Sequence, residues 1–344
     1  MPFQSRTLSD AVAQIDGKRI LVCPLNWGLG HATRCVPVIH EIERQGKTAV
    51  IAAYGLSRTW LQQEFPTHKI IDFPGIEIRY SASNSQIGAM LKAIPHILHD
   101  IHTEHRQLSA IIEQHHIDAI ISDNRFGLFT NKVPCIYITH QLMIKMPHRL
   151  TWLEPIGHWM HHRFINRYNA CWVPDYAHEP SLSGALSHRY EPTNKTFFVG
   201  PLSRFDTPNT TTTNHSDYEN IAILSGPEPQ RTLLEKALIQ QFLNTQQKSL
   251  IVQGIPTQQQ EIHTNHNVTI VSHMTSTELV AQILSVPNIY CRSGYTTLMD
   301  LDRLKRTATL IPTPGQTEQE YLAKIAVNRQ FKWVEQQTLT TTKK

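Results

Sequence analysis

Residues 19–45 read RILVCPLNWGLGHATRCVPVIHEIERQ. Ile20, Leu21, Val22 and Cys23 form a short apolar run closed by a loop carrying Pro24, Gly28 and Gly30. That is the pattern of a strand covered on both faces in a parallel sheet. From residue 32 the period changes, and Val36, Ile39 and Ile42 recur at helical spacing. Strand, glycine-bearing loop and helix make one βα unit, so the fold depends on whether the unit repeats.

It does. Apolar or β-branched runs at 48–53, 70–73, 117–122, 135–139, 170–174 and 197–200 predict further strands. Helical spacing predicts one or two long helices over 86–116 and another over 151–169. The stretch 205–218, FDTPNTTTTNHSDY, breaks the rhythm and reads as a polar linker. The alternation then restarts. Strands are expected at 221–224, 249–253, 268–272, 289–291 and 309–312, helices at 231–244 and 275–285 and after the last two strands, and a loop over 256–267. The expected architecture is α/β: two Rossmann-like, doubly wound domains over 1–204 and 219–344, joined by 205–218. A length of 344 residues suits two domains. No fixed 20–50-residue period is present.

Composition narrows the functional classes. At 40% hydrophobic residues the chain can pack ordinary cores. The net charge is +4 with no block of five or six like charges, which argues against nucleic acid as a partner. The five cysteines, at 23, 35, 135, 171 and 291, form no CxxC pair, so a reduced, cytoplasmic setting is expected without a disulfide framework or zinc site. The first twenty residues contain no apolar signal core, and no run approaches the ~18 apolar residues of a membrane span. Twenty histidines suggest metal. However, His115-His116 and His161-His162 are adjacent pairs that face different ways on a helix, and no HExxH pattern is present. No metal or cofactor is therefore expected.

In an open parallel sheet, ligands bind beyond the carboxyl ends of the strands. Four loops occupy that position. In the first, Gly28 and Gly30 allow close backbone approach, and His31 stands at the entrance of a helix whose N-terminus favours anions. His31 is a candidate general base, or else a residue that caps the turn. The third glycine position of GxGxxG holds Thr33, which disfavours a nicotinamide dinucleotide. In the second loop, Ser225 and Gly226 precede a helix with Arg231 in its first turn, a plausible diphosphate cradle or a proline-stiffened turn with a solvated arginine. The third, RSGYTTLMD over 292–300, offers Ser293, Gly294 and Thr297 to phosphate and Asp300 to vicinal hydroxyls. The fourth, PTPGQTEQEY over 312–321, offers Gln319 and Glu320 to sugar hydroxyls or to a solvated first turn. Two more strand ends carry polar groups: Asp123-Asn124-Arg125, and His140 after Thr139.

In order and spacing these motifs resemble the GT-B glycosyltransferases of family 28, in pattern the N-acetylglucosaminyltransferase of peptidoglycan synthesis (MurG type). The resemblance spans about 18–330 but rests on short motifs, strongest over 289–322. The chain departs from it at Leu29-Gly30 in place of Gly-Gly, at Asp300 in place of Glu, and at Gln319-Glu320 in place of Gln-Gln. The resemblance implies a GT-B fold whose domains face across a cleft, a last helix that crosses back to the first domain, and a UDP-sugar donor. That donor, UDP-N-acetylglucosamine in the pattern family, would be bound by Ser225, Gly226, Arg231, Ser293, Gly294, Thr297, Asp300, Gln319 and Glu320. The first domain, through Gly28, Gly30, Asp123 and Asn124, would address the phosphates or an unidentified acceptor. His31 or His140 would act as base in an inverting, metal-independent transfer. A nucleotide-sugar hydrolase, an epimerase of the same fold and a non-catalytic nucleotide-binding protein remain open.

Residues 142–168 combine Trp152, Leu153, Ile156, Trp159, Met160 and Phe164 with Arg149, Arg163 and Arg167. The ordinary reading is a helix whose apolar stripe packs on the sheet. The other is a surface for an anionic membrane, with the chain peripheral on its inner face and a lipid-linked acceptor there.

Overall fold

The computed structural model describes residues 3–75, 86–146, 148–205, 216–256 and 260–340, without the side chains of 86–97, 148, 149 and 340. Two compact units divide between Arg204 and Phe205, at the first residue of the stretch read as a linker; most of that stretch, 206–215, lies outside the described residues.

The first unit holds eight strands among the described residues: β1 (Gln4–Ser5), β2 (Arg19–Pro24), β3 (Thr48–Ala53), β4 (Ile71–Asp72), β5 (Ala119–Asp123), β6 (Cys135–Ile138), β7 (Ala170–Val173) and β8 (Thr196–Phe198). Their order is β1-β8-β7-β6-β5-β2-β3-β4, and every pairing is parallel. Strand residues Leu21, Ile120, Tyr137, Val173 and Phe198 pack with Leu108, Ile111 and Ile112 of the helix Gln86–His115. Each such side chain contributes roughly 1.5–3 kcal/mol when fully buried.

The second unit holds β9 (Asn220–Ile223), β10 (Ser249–Val252), β11 (Ile262–Asn265), β12 (Val268–Val271), β13 (Asn288–Cys291), β14 (Thr309–Leu310) and β15 (Lys332–Trp333), ordered β11-β12-β10-β9-β13-β14-β15. Ala222, Ile251, Val268 and Ile311 meet Leu234, Leu238 and Phe242 of the helix Gln230–Leu243. The helix Ser276–Ser285 begins where the sequence predicts, at a capping box between Thr275 and Glu278.

Several elements depart from the sequence reading. β1, only two residues long, adds a strand before residue 19 and pairs with β8. The stretch expected as a loop over 256–267 contains β11, which runs antiparallel to β12. All four residues of β11 are exposed, so this edge strand has no buried face to impose an apolar alternation. Beyond the helix Thr317–Ala326 the chain adds β15 and a short helix, Gln336–Thr340. That last helix packs on Gln230–Leu243 of its own unit.

Each sheet reverses its winding direction once, between β5 and β2 in the first and between β9 and β13 in the second. At such a switch point neighbouring loops diverge and leave a crevice at the carboxyl ends of the strands. The loops carrying His31, Asp123, Ser225 and Ser293 all leave the sheets there.

Candidate active site

In the first unit, parallel register sets Pro24 of β2 beside Asp123, the last residue of β5. The backbone N–H of Leu25 donates to the Asp123 carbonyl at 3.0 Å. The chain then turns through Gly28, whose φ of +71° favours glycine, and enters the helix Gly30–Arg44, which no side chain caps. His31, the second helical residue, points its Nδ1 at Asp123 Oδ1, 2.7 Å away.

One turn later on the same helix, Arg34 forms a bidentate ion pair with both oxygens of Asp123. Its Nη1 donates to Nδ1 of His140, which follows β6, at 3.1 Å, and its Nη2 lies 2.9 Å from His31 Nδ1. The two histidines singled out from sequence thus meet around an arginine the sequence reading had passed over. An arginine among Ala32, Thr33, Cys35 and Val36, all buried, was the available signal.

Asp123 and Arg34 are buried, His140 nearly so, and the His31 side chain keeps 13% exposure. Burial opposes the charge of Asp123, but Arg34 and His31 more than offset it and hold its carboxyl at about 2. Burial, and then the Arg34 charge, lower the pKa of His31 against the pull of Asp123. His31 is therefore neutral near pH 7. Of the two groups that reach His31 Nδ1, the Asp123 carboxylate is the nearer, at 2.7 Å against 2.9 Å for Arg34 Nη2, and it can only accept, so we assign the His31 proton to Nδ1, leaving the Nε2 lone pair available as a base. Conversely, Arg34 can only donate, so His140 accepts at Nδ1 and carries its proton on Nε2.

The rest of this strand end is structural in its bonding. Asn124, at φ +57°, accepts the Tyr137 hydroxyl at 2.7 Å. Arg125 is buried and donates to Glu104 at 3.0 Å and to the carbonyls of Phe73 and Pro74 at 3.2 and 2.9 Å.

In the second unit, Ser225 and Gly226 follow β9, and Gly226 has a φ of +101°. Arg231, expected to face a diphosphate, instead donates to Glu228 at 2.7 Å and to Glu235 at 2.5 Å, with Thr232 as a third acceptor. Two carboxylates offset its charge locally. After β13, Gly294 precedes the helix Tyr295–Arg303, which again has no side-chain cap. Thr297 lies one turn in, half-buried, and Asp300 is buried two turns in.

Ser293, expected as a phosphate contact, is fully buried and donates to the Gln319 carbonyl at 2.8 Å. The Gln319 side-chain oxygen accepts the Thr313 N–H at 2.8 Å, and Glu320 accepts the Gly315 N–H at 2.9 Å. These side chains fix the loops that end β13 and β14, and half-buried Glu320 also lines a cavity of about 420 Å³ with Pro314, Lys324 and Trp333. Among the described residues, no three His, Cys, Asp or Glu side chains gather as a metal site.

The helix Glu154–Ile165 does not present its apolar stripe to the sheet. Its buried residues are Glu154, His161 and Ile165. Trp152 just before it and Ile156, Trp159 and Met160 on it are 69%, 51%, 59% and 52% exposed. Leu153 and Phe164 are half-buried, Phe164 against Phe126, so the ordinary packing expectation fails only for the other four, where the paired acid Glu154, held by Lys145 and Arg189, occupies the inward face. Among the described residues, no helix is long and apolar enough to cross a membrane.

Solved structures with the same fold include the glycosyltransferase of kitacinnamycin, at 13% identity and TM-score 0.60 over 95% of this chain and 87% of that one. The glycosyltransferase SnogD from Streptomyces nogalater aligns at 13% identity and TM-score 0.55 over 93% and 88%. An Arabidopsis thaliana glycosyltransferase, UGT89C1, solved with UDP-L-rhamnose, aligns at 14% identity and TM-score 0.55 over 93% and 86%. No curated protein matches. The family whose sequence model matches, over residues 18–340, is glycosyl transferase family 1. The motifs had resembled family 28, and both readings meet in the GT-B fold and in glycosyl transfer. The chain belongs to glycosyl transferase family 1 and is a GT-B glycosyltransferase.

Proposed function

We propose that this glycosyltransferase moves a sugar from a uridine diphosphate sugar to an acceptor hydroxyl by a single inverting displacement, with His31 as general base. The observation that carries the reading is the His31 ring held through Nδ1 at 2.7 Å from Asp123 at a strand end. Nε2 takes the acceptor proton as the hydroxyl oxygen attacks the anomeric carbon. Asp123 stabilises the imidazolium that forms, and the nucleoside diphosphate leaves with the glycosidic bonding electrons. His140, its proton on Nε2, acts as a donor to the acceptor and not as the base. On the donor side, the backbone of Gly226 and the N-terminus of Tyr295–Arg303 address the diphosphate, Thr297 adds a hydroxyl, Asp300 takes the ribose, and Glu320 the sugar. The chemistry of these groups requires no metal. A uridine donor is supported by the family and by the Arabidopsis structure with UDP-L-rhamnose.

The test is a donor screen with UDP-sugars, GDP-sugars and dTDP-sugars in chelator. Acceptor-dependent release of UDP supports the reading. Release as fast with water alone as with any acceptor replaces it with a hydrolase, and a lack of UDP binding removes the uridine assignment.

The outward stripe at Trp152, Ile156, Trp159 and Met160 continues into exposed Arg163, whose guanidinium lies over the Trp159 ring, and exposed Arg167 follows just beyond the end of the helix. We infer that this face rests on an anionic lipid surface, where the acceptor is presented. Phosphatidylglycerol vesicles should sediment the protein, neutral phosphatidylcholine vesicles should do so far less, and Ile156→Ser with Trp159→Ser should weaken binding at least about tenfold. Equal sedimentation of this variant and the native chain would remove the assignment.

A further inference from the structure

Arg292, the residue between β13 and Ser293, is fully buried. Its Nη2 donates to the carbonyl of Gln230 at 2.7 Å, and its Nη1 to those of Ile311 and Pro312 at 3.1 and 3.2 Å. One side chain thereby ties the start of the helix Gln230–Leu243, where the loop after β9 ends, to the segments that begin after β13 and β14. Its Nε is buried without a hydrogen-bond partner. Among the described residues no carboxylate pairs with it, and burial alone lowers its pKa, to about 10, so it remains cationic at neutral pH. Arg231, the arginine the sequence singled out for phosphate, has two carboxylates instead. Carbonyl dipoles hold a guanidinium in place without cancelling its charge, and in a buried setting that charge is screened far less than at the surface.

We propose that Arg292 is a positioning residue of the donor site. It clamps the three loops and supplies the fixed positive charge beneath Ser293 and Gly294 that favours a nucleoside diphosphate over the uncharged nucleoside. The inference rests on the donor reading above. It assigns the charge stabilisation of the leaving diphosphate to a buried arginine in the sheet, while the backbone N–H groups of the helix N-terminus make the direct contacts.

Two substitutions separate charge from clamp. Arg292→Gln keeps amide donors for the carbonyls and removes the charge, whereas Arg292→Lys keeps the charge and loses the planar fork. Affinities of the full chain for UDP and for uridine, by calorimetry, give a preference ratio for each variant. Arg292→Gln should lower that ratio at least about tenfold, the scale of a lost interaction with a charged group. Arg292→Lys should hold it within about threefold of the native chain. A merely structural clamp would weaken UDP and uridine alike, and a ratio unchanged in Arg292→Gln overturns the proposal. If circular dichroism shows Arg292→Gln unfolded, Arg292→Lys decides: a retained ratio supports the charge role and a tenfold fall overturns it. A native chain that binds no UDP removes the donor reading and this inference together. A native preference for UDP that survives Arg292→Gln removes this inference alone.

Discussion

Replacing His31 with alanine should lower kcat about 100- to 10,000-fold while leaving the affinity for UDP within about twofold, since general-base catalysis contributes on that scale and the proposed nucleotide contacts all lie in the second unit. The fold has reason to survive. Asp123 retains its bidentate partner Arg34 when the imidazole is gone, and His31 is the one member of the cluster with appreciable exposure. The pH profile gives a second readout. Burial and the Arg34 charge set the His31 pKa below its ordinary 6.5. More than half of His31 is therefore unprotonated at pH 6.5, and the midpoint of the fall in kcat/KM should lie below that value. An acid limb above pH 7, or a kcat within tenfold of native in His31→Ala, would assign the base to another group.

Asp123→Asn should produce the largest loss of stability. The substitution removes one partner of a buried ion pair and leaves the Arg34 guanidinium in an apolar helix face, which costs roughly 3–5 kcal/mol. For a unit of this size that corresponds to a fall in melting temperature of about 6–20 °C. Exchanging Arg34 for Met in the same chain should recover part of the loss, because no charge is then left buried. The pH dependence follows the same pair. The Asp123 carboxyl ordinarily titrates near 3.8 and is held at about 2 in the folded chain. Its contribution is fully present above pH 3.8 and disappears as the pH falls through about 2. Acid unfolding monitored by circular dichroism should lose this step in Asp123→Asn. An unchanged melting temperature would mean that the pair does not hold the loop ends together.

The doubly wound architecture was legible because buried parallel strands are nearly continuous apolar runs, and 19–23, 117–122 and 170–174 all announce themselves. What escaped were elements without that constraint: β1 is too short to show a period, and β11 lies exposed at an edge with polar residues on both faces. At the site, His31 and Asp123 were legible as polar residues at strand ends. Their pairing was not, because it depends on the β2–β5 register across a separation of about ninety residues. The same limit hid how Ser293 and Gln319 are used. From sequence both offer donors to a ligand, and only the fold shows them bonding loop to loop. Charge balance was hidden for a related reason. Arg231 has acids three residues before and four after it, close enough on a helix to neutralise it, whereas the sequence around Arg292 gives no hint that its acceptors are distant carbonyls.

β1 also bears on how the chain is made. Gln4 and Ser5 pair with Phe197 and Phe198, the last strand of their sheet. Gln4 and Ser5 leave the ribosome nearly two hundred residues before that partner does. At about 5–20 residues per second that delay is roughly 10–40 s. During it the β8 edge does not exist and the leading strand is unpaired, a state open to capture by another chain. Gln4 and Ser5 thus find their partner only once β8 has been synthesised. A chain lacking them should gain its His31–Asp123 cluster on the same schedule but keep an open edge at β8.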